Sequence, residues 1–230
     1  MSTEMKIKIY NFLTKPYIVV LTMLIAPIFG FIDRNFVFFF GLGIAFLILW
    51  GSNFDWSRFG IGKKISWKTV LKSLLITVLL FIGFDILLDP ILKMFLGEYD
   101  LSSLDHVRGD LVGYIALMII MWVFAAFGEE FLFRGYYMKA LAELLGNNNK
   151  AWLLSAIITS IYFGVSHGYQ GTIGIVSSFL WAFCIAMIFN KNRNNLLLLV
   201  LVHGIYDTVG ITLLYLNKDH IISDWVQQIF

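Results

Sequence analysis

The sequence is short of charge and of cysteine. Charged residues make up 14% of its 230 residues, against roughly a quarter in an average soluble domain. Its one cysteine, Cys184, excludes an intramolecular disulfide and any metal site built on several cysteines. The formal net charge of +2 is too small to favour nucleic acid as a partner.

What the chain has instead is a series of long apolar runs. Apolar residues make up 59% of it, and in lipid only helices and closed barrels satisfy their own backbone groups. Barrel strands alternate polar and apolar residues, whereas these runs are continuous. The sequence therefore predicts an all-α, polytopic transmembrane helix bundle, a single integral membrane domain over residues 1–230 in the lipid bilayer.

Short polar breaks divide the chain into possible spans. A spanning helix needs about 20 mostly apolar residues, and we expect about seven spans, the first two short and joined by a tight turn. The segments are 16–32, 36–51, 70–88, 111–128, 151–167, 172–190 and 195–216.

The distribution of Lys and Arg predicts the orientation. These residues occur in the N-terminal segment and in the breaks after the second, fourth and sixth spans, while Asp and Glu dominate the break after the third. Because basic loops remain in the cytoplasm, the pattern predicts a multi-pass protein of the cell membrane with a cytoplasmic N-terminus.

The fourth span has a charged extension. Residues 128–145 keep an apolar periodicity although they include Glu129, Glu130, Arg134 and Lys139. We expect them to continue the fourth helix, which then leaves the membrane near Lys139 and ends at the Gly- and Asn-rich turn 146–149.

Three groups of ionisable side chains fall within the apolar segments. Each charge at mid-membrane costs roughly 2.5 kcal/mol or more, so such residues are functional candidates. Counted along their helices, the groups reach similar depths, and we expect them to meet in a polar intramembrane active-site cavity. The groups are Glu129, Glu130 and Arg134; His167; and His203 with Asp207.

Helical spacing predicts which of these side chains share a face. Glu130 and Arg134 are four residues apart and can pair, which leaves Glu129 directed elsewhere. The same spacing puts His167 beside Phe163, and Asp207 beside His203.

The residue types suit the activation of water. A buried glutamate has a raised proton affinity and can act as a general base, and a histidine beside it can hold the water. A second histidine can stabilise a developing oxyanion. The same set could instead hold a zinc ion.

Three motifs carry a resemblance to a known family. The run Glu129-Glu130-Phe-Leu-Phe-Arg134 resembles the EExxxR motif of the CAAX prenyl endopeptidase and bacteriocin-processing family of intramembrane proteases, also called Abi or CPBP. Phe163-Gly-Val-Ser-His167 resembles its FxxxH motif, and His203 begins a match to HxxxN or HxxxD. The order and spacing agree, and the protease-like core extends over residues 111–216.

The resemblance implies a helix bundle that hydrolyses peptide bonds in a peptide or membrane-protein substrate. By analogy, Glu129 and His167 would activate the water, Glu130 and Arg134 would support the site, and Phe163 would contact the substrate. Whether such enzymes are metalloproteases or glutamate proteases is left open.

His203 and Asp207 would, by the same analogy, bind the oxyanion or a metal ion. If a metal is present, zinc is the candidate, and Glu129 and His167 would complete its ligands. Eukaryotic prenyl endopeptidases carry Asn where Asp207 stands, and an ionised Asp cannot donate a hydrogen bond to an oxyanion. Asp207 would therefore be protonated, orient His203 or ligate the metal.

Three other functions stay open at this stage. A non-catalytic member of the same fold could act as a bacteriocin-immunity or membrane-partner protein, with the motif residues holding the bundle together. A transporter or proton relay could use buried Glu and His. Haem could be ligated by His167 and His203.

Overall fold

All regular structure in the described chain is helical. The computed structural model describes residues 3–222 and Trp225. Within these residues there is no strand, and one isolated β-bridge joins Ile61 to Asn195. The all-α prediction is confirmed.

Ten α-helices follow one another within the described part of the chain. They are α1 (Thr3–Leu13), α2 (Pro16–Phe29), α3 (Arg34–Gly51), α4 (Trp67–Phe81), α5 (Asp89–Leu96), α6 (Leu111–Ile120), α7 (Lys139–Leu144), α8 (Asn149–Ser166), α9 (Gly171–Lys191) and α10 (Leu196–Tyr215). Short 3-10 turns lie at Trp56–Phe59, Ser102–Val107 and Gly168–Gln170. The π-helical segments Ile82–Leu88 and Met121–Met138 join α4 to α5 and α6 to α7.

Five helical stretches of the described chain are long and apolar enough to cross a membrane. A sixth results if α1 and α2, which bend by 78° at their junction, form one broken span. The expected count of about seven is therefore approximate. Helix α8 does not qualify, because it begins with Asn149 and Lys150 and carries several hydroxyl side chains. The five are Arg34–Gly51, Trp67–Leu96, Leu111–Leu144, Gly168–Lys191 and Leu196–Tyr215.

Polar side chains define where several of these helices begin. The Asp33 carboxylate accepts a hydrogen bond from the backbone N–H of Asn35 at the start of α3. Ser66 and Thr69 form a capping box at the start of α4. Asp110 accepts from two backbone N–H groups at the start of α6. Each cap satisfies N–H groups that have no partner within the helix.

The charged extension of the fourth predicted span is helical, as expected. One helical stretch runs from Leu111 to Leu144 without a break. It ends where Gly146 and Asn147 take positive φ angles of 97° and 55°. The N–H of Asn147 then donates to the carbonyl of Ala142 at 2.7 Å, which is the pairing of a Schellman-type helix end.

The chain divides into two compact units, each built from segments that are separate in the sequence. The first contains α1, α2, α3 and α7 in full, and the second contains α4, α5 and α6. The expected single membrane domain stays a prediction. The first unit is Met1–Lys64, Gly128–Thr159 and Met187–Leu196, and the second is Ile65–Phe127, Ser160–Ala186 and Leu197–Phe230.

Aromatic packing forms the core of the first unit. The Phe131 ring is fully buried and stacks on Phe59 with 4.5 Å between ring centroids. Phe46 and Trp56 contact the same ring from 5.1 Å and 5.9 Å. Such ring pairs contribute about 0.5–1.5 kcal/mol beyond their buried area, so they fix the helical segment that carries Phe131.

In the second unit, the end of α10 is tied to the segment before α6. Both terminal nitrogens of Arg108 donate to the Asp219 carboxylate, at 2.6 Å and 2.9 Å. The N–H of Gly109 donates to the carbonyl of Tyr215, whose ring stacks on Tyr114 at 4.7 Å. These contacts hold the C-terminal end of α10.

Replacing Gly204 by Ala is expected to destabilise the second unit. A Cβ at this position of α10 would clash with the indole ring of Trp122, and overpacking costs about 1–3 kcal/mol. The matched control is Gly210→Ala on the same helix, where a Cβ meets nothing within 4 Å. Thermal unfolding in detergent measures both variants. Equal melting temperatures for the two would contradict the expectation.

Acidification is expected to weaken the same unit through Asp219. The hydrogen bonds from Arg108 hold the pKa of the Asp219 carboxyl below its usual value. A lowered pKa stabilises the folded state fully above about pH 4, and this stabilisation is lost as the pH falls through the lowered value. Asp219→Asn should therefore be less stable than wild type at neutral pH, and the difference should shrink in acid. A difference in stability between the two proteins that does not change with pH would contradict this expectation.

Candidate active site

The first unit contains an ion pair that is shielded from solvent. Arg134 Nη1 donates to Glu130 Oε1 at 3.0 Å, and the two side chains are 2% and 0% exposed. This is the pairing predicted from their spacing of four residues. Two such charges are buried at acceptable cost only when they are paired and hydrogen-bonded.

Small and aromatic residues around the ion pair hold its helix in place. A Cβ on Gly135 would lie 3.0 Å from the carbonyl oxygen of Phe59, so glycine allows this close approach. Phe131, one residue after Glu130, stacks on the Phe59 ring. The first motif therefore contains packing residues as well as charged ones.

Glu129 differs from Glu130 in its surroundings. Its side chain is half-buried, and its charge interacts with Arg134. Both glutamates lie in the π-helical segment Met121–Met138, and π-helical geometry is frequent at functional sites. The first unit thus supplies one enclosed carboxylate and, beside it, one that is more accessible.

The second unit contains the other two motifs. His203 is 5% exposed, and its Nε2 lies 3.3 Å from Asp207 Oδ2. When the carboxylate is ionised it can only accept, so Nε2 of the ring carries the proton that faces it. Asp207 is therefore suited to orienting His203, one of the three roles expected for it.

His167 follows the last residue of α8 and is half-buried. Its Nδ1 lies 2.8 Å from the carbonyl oxygen of Phe163, and the two rings stack at 4.5 Å. Because a carbonyl only accepts, Nδ1 carries the proton and Nε2 is the acceptor nitrogen of the neutral ring. The residue marks the end of a helix and also has the tautomer that a water-binding histidine needs.

Trp181 connects these two motifs within the second unit. Its ring lies 4.5 Å from His203 and 6.3 Å from Phe163, and its side chain is buried. Rings therefore run in contact from His167 through Phe163 and Trp181 to His203. In the sequence, Trp181 is one of many aromatic residues in apolar runs, and its type and spacing give no signal of this contact.

The expected meeting of Glu129 with the two histidines stays a prediction, since the carboxylate belongs to the first unit and both histidines to the second. Among the described residues, no group of three or more His, Cys, Asp or Glu side chains is arranged to hold a metal ion. The zinc site stays a prediction, because its expected ligands come from both units.

Breaking the buried ion pair is expected to be costly. Arg134→Leu should lower the free energy of unfolding by about 3–5 kcal/mol, because it leaves a buried carboxylate without its main partner. The double variant Glu130→Leu, Arg134→Leu should recover much of that loss, since no charge is left buried. Chemical unfolding in detergent measures both.

A matched control for this experiment is the exposed pair of Glu4 and Lys8, which has the same spacing and a 2.6 Å contact. Lys8→Leu should leave the stability unchanged, as exposed pairs contribute little. Strictly additive losses in the double variant would contradict the interpretation of Glu130 and Arg134.

Comparison with known proteins agrees with the motifs. Residues 111–209 match a family model described as type II CAAX prenyl endopeptidase Rce1-like. Searches of the curated proteins and of the solved structures found no match. The matched segment includes Glu129, His167, His203 and Asp207. The match agrees with the resemblance carried by the three motifs: over residues 111–209 this chain is similar to the Rce1-like type II CAAX prenyl endopeptidase family.

Proposed function

We propose that the protein is an intramembrane endopeptidase of the CAAX-protease type, in which Glu129 and His167 activate a water molecule. The observation that carries the proposal is the half-buried Glu129 beside a fully buried ion pair, on a helix long and apolar enough to span a membrane. The family match over the same helix supports it.

Glu129 would act as the general base. As the water oxygen attacks the carbonyl carbon of the scissile peptide bond, one proton of the water passes to the Glu129 carboxylate. Collapse of the tetrahedral intermediate breaks the carbon–nitrogen bond, and the same proton passes to the departing amine. His167 would hold the water through Nε2, since its Nδ1 proton is engaged by the Phe163 carbonyl.

His203 would stabilise the oxyanion. The N–H at Nε2 of His203 donates to the Asp207 carboxylate. Only the protonated ring has a second N–H, at Nδ1, that can donate to the oxyanion. The Asp207 carboxylate would stabilise that charged form. Preorganised hydrogen-bond donors of this kind frequently make the largest single contribution to stabilising the transition state.

Glu130 and Arg134 would support Glu129 from the same helix. Their pair keeps a positive charge near Glu129 without exposing it to solvent. The Phe163 ring, 3% exposed, packs against His167. This favours support of the histidine over the direct substrate contact expected from the sequence.

The substrate class is a peptide or a membrane protein. The name of the matched family specifies prenylated substrates, so a reporter peptide with a prenylated cysteine near its C-terminus is one suitable probe. The same peptide without the prenyl group is its control, and cleavage of both would point to a broader peptidase.

Glu129→Gln should abolish this cleavage while the protein still folds. Loss of a general base typically lowers the rate by about 10²–10⁴-fold. Glu143→Gln is the matched control, because Glu143 is an exposed glutamate on the same long helix. The measurement compares peptides and trimmed C-termini, by mass spectrometry, in membranes that contain each variant.

Wild-type and Glu143→Gln membranes should share products that Glu129→Gln membranes lack. The reporter peptide gives the same comparison with purified protein in liposomes. Identical products from all three proteins would rule out peptide hydrolysis by Glu129 and favour a non-catalytic role.

A further inference from the structure

Asp85 is an acidic residue in the interior of a mostly apolar helical stretch. It lies in the π-helical segment Ile82–Leu88, within the membrane-spanning stretch Trp67–Leu96. Its position near the end of the third predicted span, 70–88, would also fit a residue at the boundary of that span. Its carboxylate instead accepts a hydrogen bond of 2.7 Å from the Tyr206 hydroxyl of α10. Asp85 also precedes the segment that matches the family.

Tyr206 occupies a central position in the third motif. It lies three residues after His203 and directly before Asp207. Its ring contacts Trp181 at 6.0 Å, and Trp181 contacts the His203 ring at 4.5 Å. Any rotation of α10 that moves the Tyr206 hydroxyl therefore moves His203 and Asp207 as well.

A second contact joins the same two helices on the other side of His203. The Thr77 hydroxyl donates to the carbonyl of Val202 at 3.3 Å, one residue before His203. Helix α4 and its π-helical continuation thus hold α10 through Val202 and Tyr206. Two anchors that flank a residue fix both the rotation and the height of the helix at that residue.

Burying the Asp85 carboxylate is costly if its hydrogen bond to Tyr206 only holds two helices together. An apolar pair would fill the same volume without burying a carboxylate. A hydrogen bond between a phenol and a carboxylate is short and directional, so it defines one orientation of the two helices. Orientation is what a histidine that donates to an oxyanion requires.

We infer that Asp85 is a positioning residue: through Tyr206 and Trp181 it sets the orientation of the His203 and Asp207 pair. This inference rests on the proposed function for its effect on catalysis. The positioning of His203 itself is a property of the second unit and can be measured without any substrate.

The same helix provides a matched control. Asp89, four residues further along, accepts a hydrogen bond from Tyr99 that is also 2.7 Å long. Tyr99 belongs to neither α10 nor any of the three motifs. Variants of Asp89 and Tyr99 therefore remove the same kind of bond from the same stretch while leaving the hydrogen bond between Tyr206 and Asp85 in place.

The experiment combines two measurements on Tyr206→Phe, Asp85→Leu and Asp85→Asn. The first is the NMR signal of the His203 ring in protein labelled only at its four histidines, with His167, His106 and His220 as references. The second is kcat and KM for the prenylated reporter peptide.

Tyr206→Phe and Asp85→Leu should shift the His203 signal and lower kcat by about tenfold or more, with KM little changed. Asp85→Asn, which keeps an acceptor oxygen, should retain both properties. Asp89→Leu and Tyr99→Phe should leave the His203 signal and kcat as in the wild type.

An unchanged His203 signal and kcat in Tyr206→Phe would overturn the inference, and so would equal effects of the Asp89 variants. If the wild-type protein cleaves no peptide, the proposed function fails, and the His203 signal alone decides whether Asp85 positions the ring. Tyr206→Phe removes a single oxygen, so it remains informative where Asp85→Leu does not fold.

Discussion

The interior of a bilayer offers no water to a buried carboxylate, so a carboxylate there must find its partner on the protein. The chain meets this constraint in each unit. Glu130 is paired with Arg134 on one helix of the first unit. In the second unit Asp85 is paired with Tyr206, Asp89 with Tyr99, and His203 with Asp207.

Close packing is the second requirement for these polar groups. Lipid does not drive helices together as water does, so membrane helices depend on small residues that allow close approach. Gly135 lies against the backbone of Phe59 in the first unit, and Gly204 lies against the Trp122 ring in the second. Both glycines directly follow a charged or ionisable residue of a motif. The motifs therefore specify the approach of the helices together with the chemistry.

Local features of the structure could be predicted from the sequence. The continuous apolar runs excluded barrels, and the spacing of four residues predicted the pairs Glu130–Arg134 and His203–Asp207 because both partners lie on one helix. The end of the long helix at Gly146 followed from its turn residues. The span count was less accurate, because the bend between α1 and α2 and the polar character of α8 depend on more than local apolarity.

Contacts between helices could not be predicted in the same way. Trp181 and Asp85 have partners that are distant in the sequence, and nothing in their own neighbourhood identifies those partners. Asp85 illustrates the point, because an aspartate within an apolar helix is a recognisable anomaly. Its partner Tyr206 is identified only by the position of α10 in the three-dimensional structure.

The central claim is that the chain uses water to cleave a peptide bond. Its most direct test is to incubate the purified protein in liposomes with the reporter peptide in water labelled with oxygen-18. Mass spectrometry of the products then shows whether they contain the label. We expect the new C-terminal carboxyl group to contain one atom of the label, which enters only when Glu129 is intact. Absence of labelled product from wild-type protein, or equal labelling with Glu129→Gln, would contradict the account.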